Sequence, residues 1–158
     1  MRGFSLLEVL IYTAIMGIVG SLFSGIAISV TRIYNRQDAS AEVNQQLNFV
    51  LSRMQRSIRE SSFIEIATGT PVASLRLRMK ESAKDPVIIS VASGKITLQQ
   101  GGGSPLELTT SAVTVDKLAF LRITNFPGHD SVQVDITLSH NTSNPQMQFT
   151  KSITSAVA

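Results

Sequence analysis

The sequence predicts an α+β protein in which one long N-terminal helix packs on an antiparallel β-sheet made by the rest of the chain. Three observations predict this fold. The chain begins with a segment that is apolar on all sides, continues with apolar residues spaced by three or four, and ends in short runs that alternate apolar and polar residues. A helix with one apolar stripe needs a surface to cover it, and a half-buried sheet supplies one.

The first segment, residues 4–33, has the length and composition of a transmembrane helix. The chain has 158 residues and is 16% charged, against about a quarter in average soluble domains. From Val9 to Thr31 there are 23 consecutive uncharged residues, and about 20 suffice to cross a bilayer. A cleaved secretory signal fits less well, because its apolar region is shorter and is followed by a small-residue cleavage site. We therefore expect the segment to be retained.

Three glycines in this segment, Gly17, Gly20 and Gly25, weaken a helix by about 1 kcal/mol each relative to alanine in water. Glycine is common in membrane helices, so they are consistent with ordinary composition. They are equally consistent with close packing between helices or with local unwinding. The sequence leaves these alternatives open.

The second segment, residues 34–62, predicts an amphipathic helix. Its apolar residues fall on one stripe and its polar residues on the opposite face. The stripe comprises Val43, Leu47, Val50, Leu51, Met54 and Ile58. No turn signal separates it from the first segment, so the two predict one helix of nearly 60 residues, about 90 Å long.

The third segment, residues 63–158, predicts a β-rich globular head. We expect a strand at 75–80, a hairpin of 87–92 with 95–99 turning at Ser93-Gly94, and a flexible turn at Gly101–Pro105. Further strands are expected at 106–109, 113–115, 118–124, 131–139 and 147–154. The chain has no cysteine, so packing alone holds this head together.

The N-terminal run Gly3-Phe4-Ser5-Leu6-Leu7-Glu8 resembles the processing and methylation motif of type IV pilins and type II secretion pseudopilins. The resemblance implies a pilin-like fold, a leader peptide at residues 1–3 that is shorter than most, cleavage between Gly3 and Phe4, and N-methylation of Phe4. It places Glu8 at the fifth position of the mature chain. It also implies three kinds of partner: a prepilin peptidase, other pilins or pseudopilins, and an inner-membrane assembly platform.

The physical chemistry of Glu8 favours an assembly role. A carboxylate in hydrocarbon costs about 2.5–3.5 kcal/mol at the centre of a span and less near its edge, where Glu8 lies. A dry helix bundle would bury Glu8, which would then require a cation. Cleavage after Gly3 would create that cation as the α-amino group of Phe4. We expect a pair between Glu8 and the Phe4 amine of a neighbouring subunit to set axial register.

Membrane topology follows from the flanking charges. Arg2 precedes the span, so the positive-inside tendency places the N-terminus in the cytoplasm, although Arg32 and Arg36 at the other end blur the rule. We expect a single pass through a bacterial inner membrane with the head in the periplasm or outside the cell.

Other constellations in the sequence favour no catalytic or cofactor role. His129 and His140 are expected to be solvated loop residues, and Asp130 and Asp135 to be exposed positions rather than a calcium site. There is no nucleophile elbow and no phosphate-binding loop. We expect no catalytic residue, metal or cofactor, and therefore a non-enzymatic protein.

The sequence therefore predicts a minor pilin or pseudopilin, a filament subunit of a type IV pilus or a type II secretion-like machine. One alternative is an adhesin or DNA-binding tip pilin that uses Arg76, Arg78 and Lys80. From Phe63 onward, eight Lys or Arg face seven Asp or Glu, and this net charge of +1 makes nucleic acid an unfavoured partner. The other alternative is a single-pass anchored domain that never assembles.

Overall fold

The largest element is a single unbroken helix, α1 (Leu6–Glu60), of 55 residues. The computed structural model describes residues 5–125, 127–128 and 130–157. At about 1.5 Å per residue, α1 is about 80 Å long, so the prediction of one continuous helix is confirmed. Ser61 ends it two residues before the predicted end, because its backbone turns extended and both its N–H and its hydroxyl bond to the carbonyl of Ile58.

The rest of the chain forms antiparallel strands in two sheets, which confirms the α+β class. Within the described residues, the first sheet has the order β1-β2-β3-β4-β5 and the second the order β6-β7-β8. The strands are β1 (Ser61–Ile64), β2 (Leu75–Met79), β3 (Val87–Ala92), β4 (Lys95–Gln100), β5 (Leu106–Glu107), β6 (Val113–Ile123), β7 (Ser131–His140) and β8 (Thr150–Val157). Two short 3-10 helices, Ser82–Lys84 and Pro145–Met147, lie in loops.

The predicted hairpin is confirmed with its turn. Ala92 pairs with Lys95, and the two residues between them both have positive φ, 51° at Ser93 and 73° at Gly94. A two-residue turn with this geometry matches the twist of the strands it joins. The turn that begins at Gly101 is more constrained than the flexible turn that the sequence predicted. A Cβ on Gly101 would lie 2.7 Å from the carbonyl oxygen of Ala83, so only glycine fits there.

The strands predicted at 113–115 and 118–124 are one strand, β6, interrupted by a bulge. Val115 pairs with Leu138 and Lys117 with Thr137, so the backbone of Asp116 is not paired with a residue of β7. The extra residue shifts the alternation by one position. For that reason Val115 and Leu118 both face the core, and the alternation of apolar and polar residues is interrupted between them in the sequence.

The ends of the head also differ from the prediction. Strand β1 pairs with β2 directly after α1, where the sequence predicted the helix to continue. The last strand begins at Thr150 rather than 147, because Asn144 accepts a hydrogen bond from the N–H of Gln146 and Pro145 starts a 3-10 turn. The predicted single sheet is two sheets. The segment between β1 and β2 connects to the second sheet where Val72 and Phe120 exchange backbone hydrogen bonds of 2.9 and 2.8 Å.

One core joins the helix to both sheets. The predicted stripe of α1, from Val43 to Ile58, is buried completely, and Ala39 extends it by one turn. The helix packs mainly against β7 and β8 of the second sheet and also contacts β1, β2 and β6. The same buried cluster includes residues of β3 and β4. The largest side chain in this core is Phe120 of β6, which is fully buried. The C-terminal half of α1 is therefore the central element of the head.

Candidate functional site

The N-terminal half of α1 is the part of the molecule that is not explained by folding of the single chain. Every described residue from Ser5 to Tyr34 is exposed. Large apolar side chains lie on all sides of the helix, with Leu6 83% and Met16 73% exposed. A window of this helix has a mean hydropathy of 2.0 with none of its residues buried, so the helix is long and apolar enough to cross a membrane.

The serine and threonine side chains within this apolar part of α1 form hydrogen bonds with the helix itself. Their hydroxyl groups donate hydrogen bonds to carbonyl oxygens three or four residues earlier, at 2.7 to 3.1 Å; they belong to Thr13, Ser21, Ser24, Ser29 and Thr31. An apolar solvent offers no other partner for a hydroxyl group. The composition of the sequence did not reveal this pattern, but the position of each hydroxyl inside a helix predicts it.

Glu8 lies in the first turn of α1. Ser5 precedes the helix with an extended backbone, and its carbonyl oxygen accepts hydrogen bonds from the N–H groups of Glu8 (3.0 Å) and Val9 (3.2 Å). The carboxylate therefore lies at the positive end of the helix dipole, which stabilises a negative charge. It is exposed and forms no ion pair within the described residues. The predicted cleavage residues Gly3 and Phe4 lie outside the described residues.

The three glycines of this half do not distort the helix. The helix continues through Gly17, Gly20 and Gly25, so the local unwinding considered from the sequence is absent from the single chain. A Cβ added at any of them would meet nothing within 4 Å. These positions are therefore shallow points on an uncovered surface, a geometry that permits close approach by another helix.

The basic residues proposed for a nucleic-acid site are largely neutralised. Both arginines of β2 pair with Glu65, Arg76 at 3.0 Å and Arg78 at 3.5 Å, and Arg78 also contacts Asp85 at 3.2 Å. Lys80 is the member of the set without an ion pair inside the described residues. Salt bridges already satisfy the charges that a phosphate backbone would need.

The remaining candidates are dispersed. His140 ends β7 and is half-buried, with an Nδ1 that finds no hydrogen-bond partner among the described residues, so the prediction of a solvated loop histidine was wrong for it. His129 lies outside the described residues. Asp135 accepts weak hydrogen bonds from Gln133, far from the turn that carries Asp130. No group of three metal-ligating side chains occurs in the described part of the chain.

Sequence reasoning missed the role of Arg122, which joins β1 and the residues after it to the second sheet. Its guanidinium donates to the carboxylate of Asp130 at 2.7 Å and to the carbonyl oxygens of Ile64 and Ile66, and it stacks 5.1 Å from the ring centre of Phe63. Asp130 is thus a structural partner of Arg122 rather than an exposed turn residue.

No protein family, curated protein or solved structure matches the chain.

Proposed function

We propose that this protein is a minor pilin or pseudopilin, a non-enzymatic subunit of a type IV pilus or a type II secretion-like filament. One observation carries the proposal. A single continuous helix is uncovered and apolar on all sides for its first half, carries a lone carboxylate in its first turn, and buries one face in a β-rich head along its second half. This architecture suits a subunit whose apolar helix contacts lipid in the membrane and contacts the helices of neighbouring subunits in a filament.

The proposed assembly step buries the uncovered half of α1. Leaving the bilayer removes lipid contacts, and packing against other apolar helices replaces them. In that dry core the carboxylate of Glu8 needs a positive partner. The N-terminal amine of Phe4, produced by cleavage after Gly3 and then N-methylated, would supply it. The pair would fix how far one subunit lies along the axis from the next.

The proposal includes a location and a set of partners. The subunit would wait in the bacterial inner membrane with its N-terminus in the cytoplasm and its head in the periplasm or outside the cell. A prepilin peptidase would process it, an inner-membrane platform would extract it, and other pilins or pseudopilins would form the filament. The head would present the two sheets outward.

Intact-mass measurement tests the processing step. The full chain is co-expressed with a prepilin peptidase beside a known prepilin as the positive control. We expect loss of residues 1–3 and the added mass of a methyl group on Phe4. Gly3→Ala should abolish cleavage, whereas Gly17→Ala, the same substitution at a position where the new methyl group meets nothing, should be processed normally. An uncleaved chain beside a cleaved control would refute the proposal.

The runner-up function is a single-pass anchored domain that does not assemble, which the exposed span supports equally well by composition. It predicts no cleavage at Gly3 and no effect of removing the Glu8 carboxylate. An adhesin or DNA-binding tip pilin is the other alternative. The ion pairs of Arg76 and Arg78 argue against DNA, and salt-dependent binding of duplex DNA to the full chain in detergent would restore it.

A further inference from the structure

The base of the head lies beside the helix at the level where the apolar span ends. Gln146, in the 3-10 helix Pro145–Met147, borders a shallow groove whose other side is formed by Ala27, Ile28, Thr31 and Arg32 of α1. The uncharged run ends at Thr31. Its 23 residues rise about 34 Å, enough to cross a hydrocarbon core of about 30 Å. The loop is therefore held at the edge of the span.

The continuity of α1 fixes this placement. The helix has no break between the span and Ala39, the first residue that the head buries. The head therefore changes its height above a bilayer only when α1 tilts or slides as a whole. A span inserted up to Thr31 brings the loop to the headgroup layer of the leaflet from which α1 emerges.

The chemistry of this base suits phospholipid headgroups. Residues 141–149 contain no acidic residue and present amide and hydroxyl groups that donate hydrogen bonds. Arg32 and Arg36 are exposed on the adjacent turns of α1, and neither forms an ion pair within the part of the chain that the structure describes. Phe149 borders a second groove beside Arg36. Guanidinium groups next to an apolar span bind phosphate oxygens while their stems stay in the apolar layer.

We propose that residues 141–149, with Arg32 and Arg36, form a membrane-contact surface that rests on the anionic phospholipid headgroups of the leaflet from which α1 emerges. This inference depends on insertion of α1 in a membrane, which is the anchoring part of the proposed function, and not on cleavage or filament assembly. The surface would hold the head in one orientation on the bilayer, with the C-terminal end of α1 directed away from it.

Because the chain has no cysteine, single labels are introduced cleanly. The full chain is reconstituted at one copy per nanodisc with a fluorescent label at Gln146→Cys, Ser21→Cys or Ser82→Cys. Ser21 lies near the middle of the span. Ser82 follows β2, whose Met79 pairs with Ser61 just beyond the end of α1. The 29 residues from Arg32 to Glu60 place that end about 40 Å beyond the span.

Nitroxide lipids report the depth of each label. We expect headgroup nitroxide to quench Gln146→Cys strongly and Ser82→Cys hardly at all, and acyl-chain nitroxide to quench Ser21→Cys. If Ser21→Cys is quenched and Gln146→Cys is not, the contact surface is refuted while the anchor stands, and the same face is left open for another subunit. If Ser21→Cys is not quenched, the anchor is refuted and the contact with it.

The arginines are tested by a charge-matched pair of variants. Arg32→Gln with Arg36→Gln should lower the quenching of Gln146→Cys in phosphatidylglycerol bilayers, since each arginine favours the contact by about fivefold. Arg56→Gln with Arg59→Gln removes the same charge from the far end of α1 and should leave quenching unchanged. Equal loss from both double variants, or equal quenching in pure phosphatidylcholine and in phosphatidylglycerol, would overturn the role of the arginines.

Discussion

The two halves of α1 share one backbone and differ in what covers them. From Ser5 to Tyr34 every side chain is exposed, and apolar residues occupy all sides. From Ala39 to Ile58 the apolar residues form one stripe that the two sheets bury completely, while Arg53, Gln55 and Arg56 lie toward the other side. A helix with one apolar stripe can be covered by one neighbouring surface, whereas a helix that is apolar on all sides must be surrounded by an apolar medium. The difference indicates which half has its partner within the chain.

The largest expected effect comes from removing Glu8, the one acidic residue of the uncovered half. Glu8→Gln should stop or strongly reduce assembly with other pilins, because breaking a buried ion pair from one side costs about 3–5 kcal/mol. Filament yield after expression with a complete assembly system measures it, with processing followed by intact mass. Glu42→Gln, a matched change on the covered half, should assemble normally. Normal assembly of Glu8→Gln would rule out the proposed register role of Glu8.

The next effect contrasts the same substitution on the two halves. Leu47→Ala deletes a side chain that is 1% exposed, and we expect a loss of about 2–5 kcal/mol in the free energy of unfolding of the head. Leu22→Ala deletes one that is 63% exposed and should change it by less than about 0.5 kcal/mol. Urea unfolding of the full chain in detergent, followed by the β-sheet circular dichroism, measures both. Equal losses would show that the two halves unfold as one unit.

Much of this contrast was predictable from the sequence because periodicity records the environment of each half directly. The stripe from Val43 to Ile58 and the uncharged run to Thr31 need no tertiary information. The hairpin was equally local, since Ser93-Gly94 adopts the positive φ angles that its turn requires. Glu8 stood out for the same reason, as an isolated charge in an apolar run.

The errors arose where a distant partner decides the local structure. The bulge at Asp116 depends on pairing with β7, and β1 forms after Glu60 because β2 lies beside it. The contacts of Arg122 could not be predicted from the sequence because Ile64, whose carbonyl oxygen accepts a hydrogen bond from Arg122, lies 58 residues earlier in the chain. The proposed partner of Glu8 belongs to a neighbouring subunit, so the structure of a single chain does not contain it.

A smaller effect separates the two interpretations of the glycines in the uncovered half. Gly20→Ala should leave the single chain intact and raise helix stability by up to about 1 kcal/mol, because the new methyl group meets no atom within 4 Å. Circular dichroism of the full chain in detergent measures this. A loss of helicity would contradict the structure.

The same variant is then tested in the assembly system, where close helix packing and ordinary membrane composition predict different results. If helices pack closely through Gly20, the variant should give a lower filament yield. If Gly20 reflects only ordinary membrane composition, the yield should be unchanged. Leu22→Ala, which shortens a side chain two positions away, controls for a general effect of altering the span. The outcome shows whether neighbouring helices pack closely against the uncovered half after assembly.

The smallest effect lies on the exposed side of the covered half, where Arg56 and Glu60 form an i, i+4 pair at 2.7 Å. The hydrogen bond from the Arg56 guanidinium lowers the pKa of the Glu60 carboxyl below its ordinary value of 4.5. A carboxyl whose pKa is lower in the folded state stabilises the fold above pH 4.5, and this contribution is lost as the pH falls through the folded pKa. Because both groups are solvated, the contribution to stability is slight. NMR titration of the Glu60 carboxyl should therefore give a pKa that rises toward its ordinary value in Arg56→Gln, and an unchanged pKa would mean that solvent screens the pair completely.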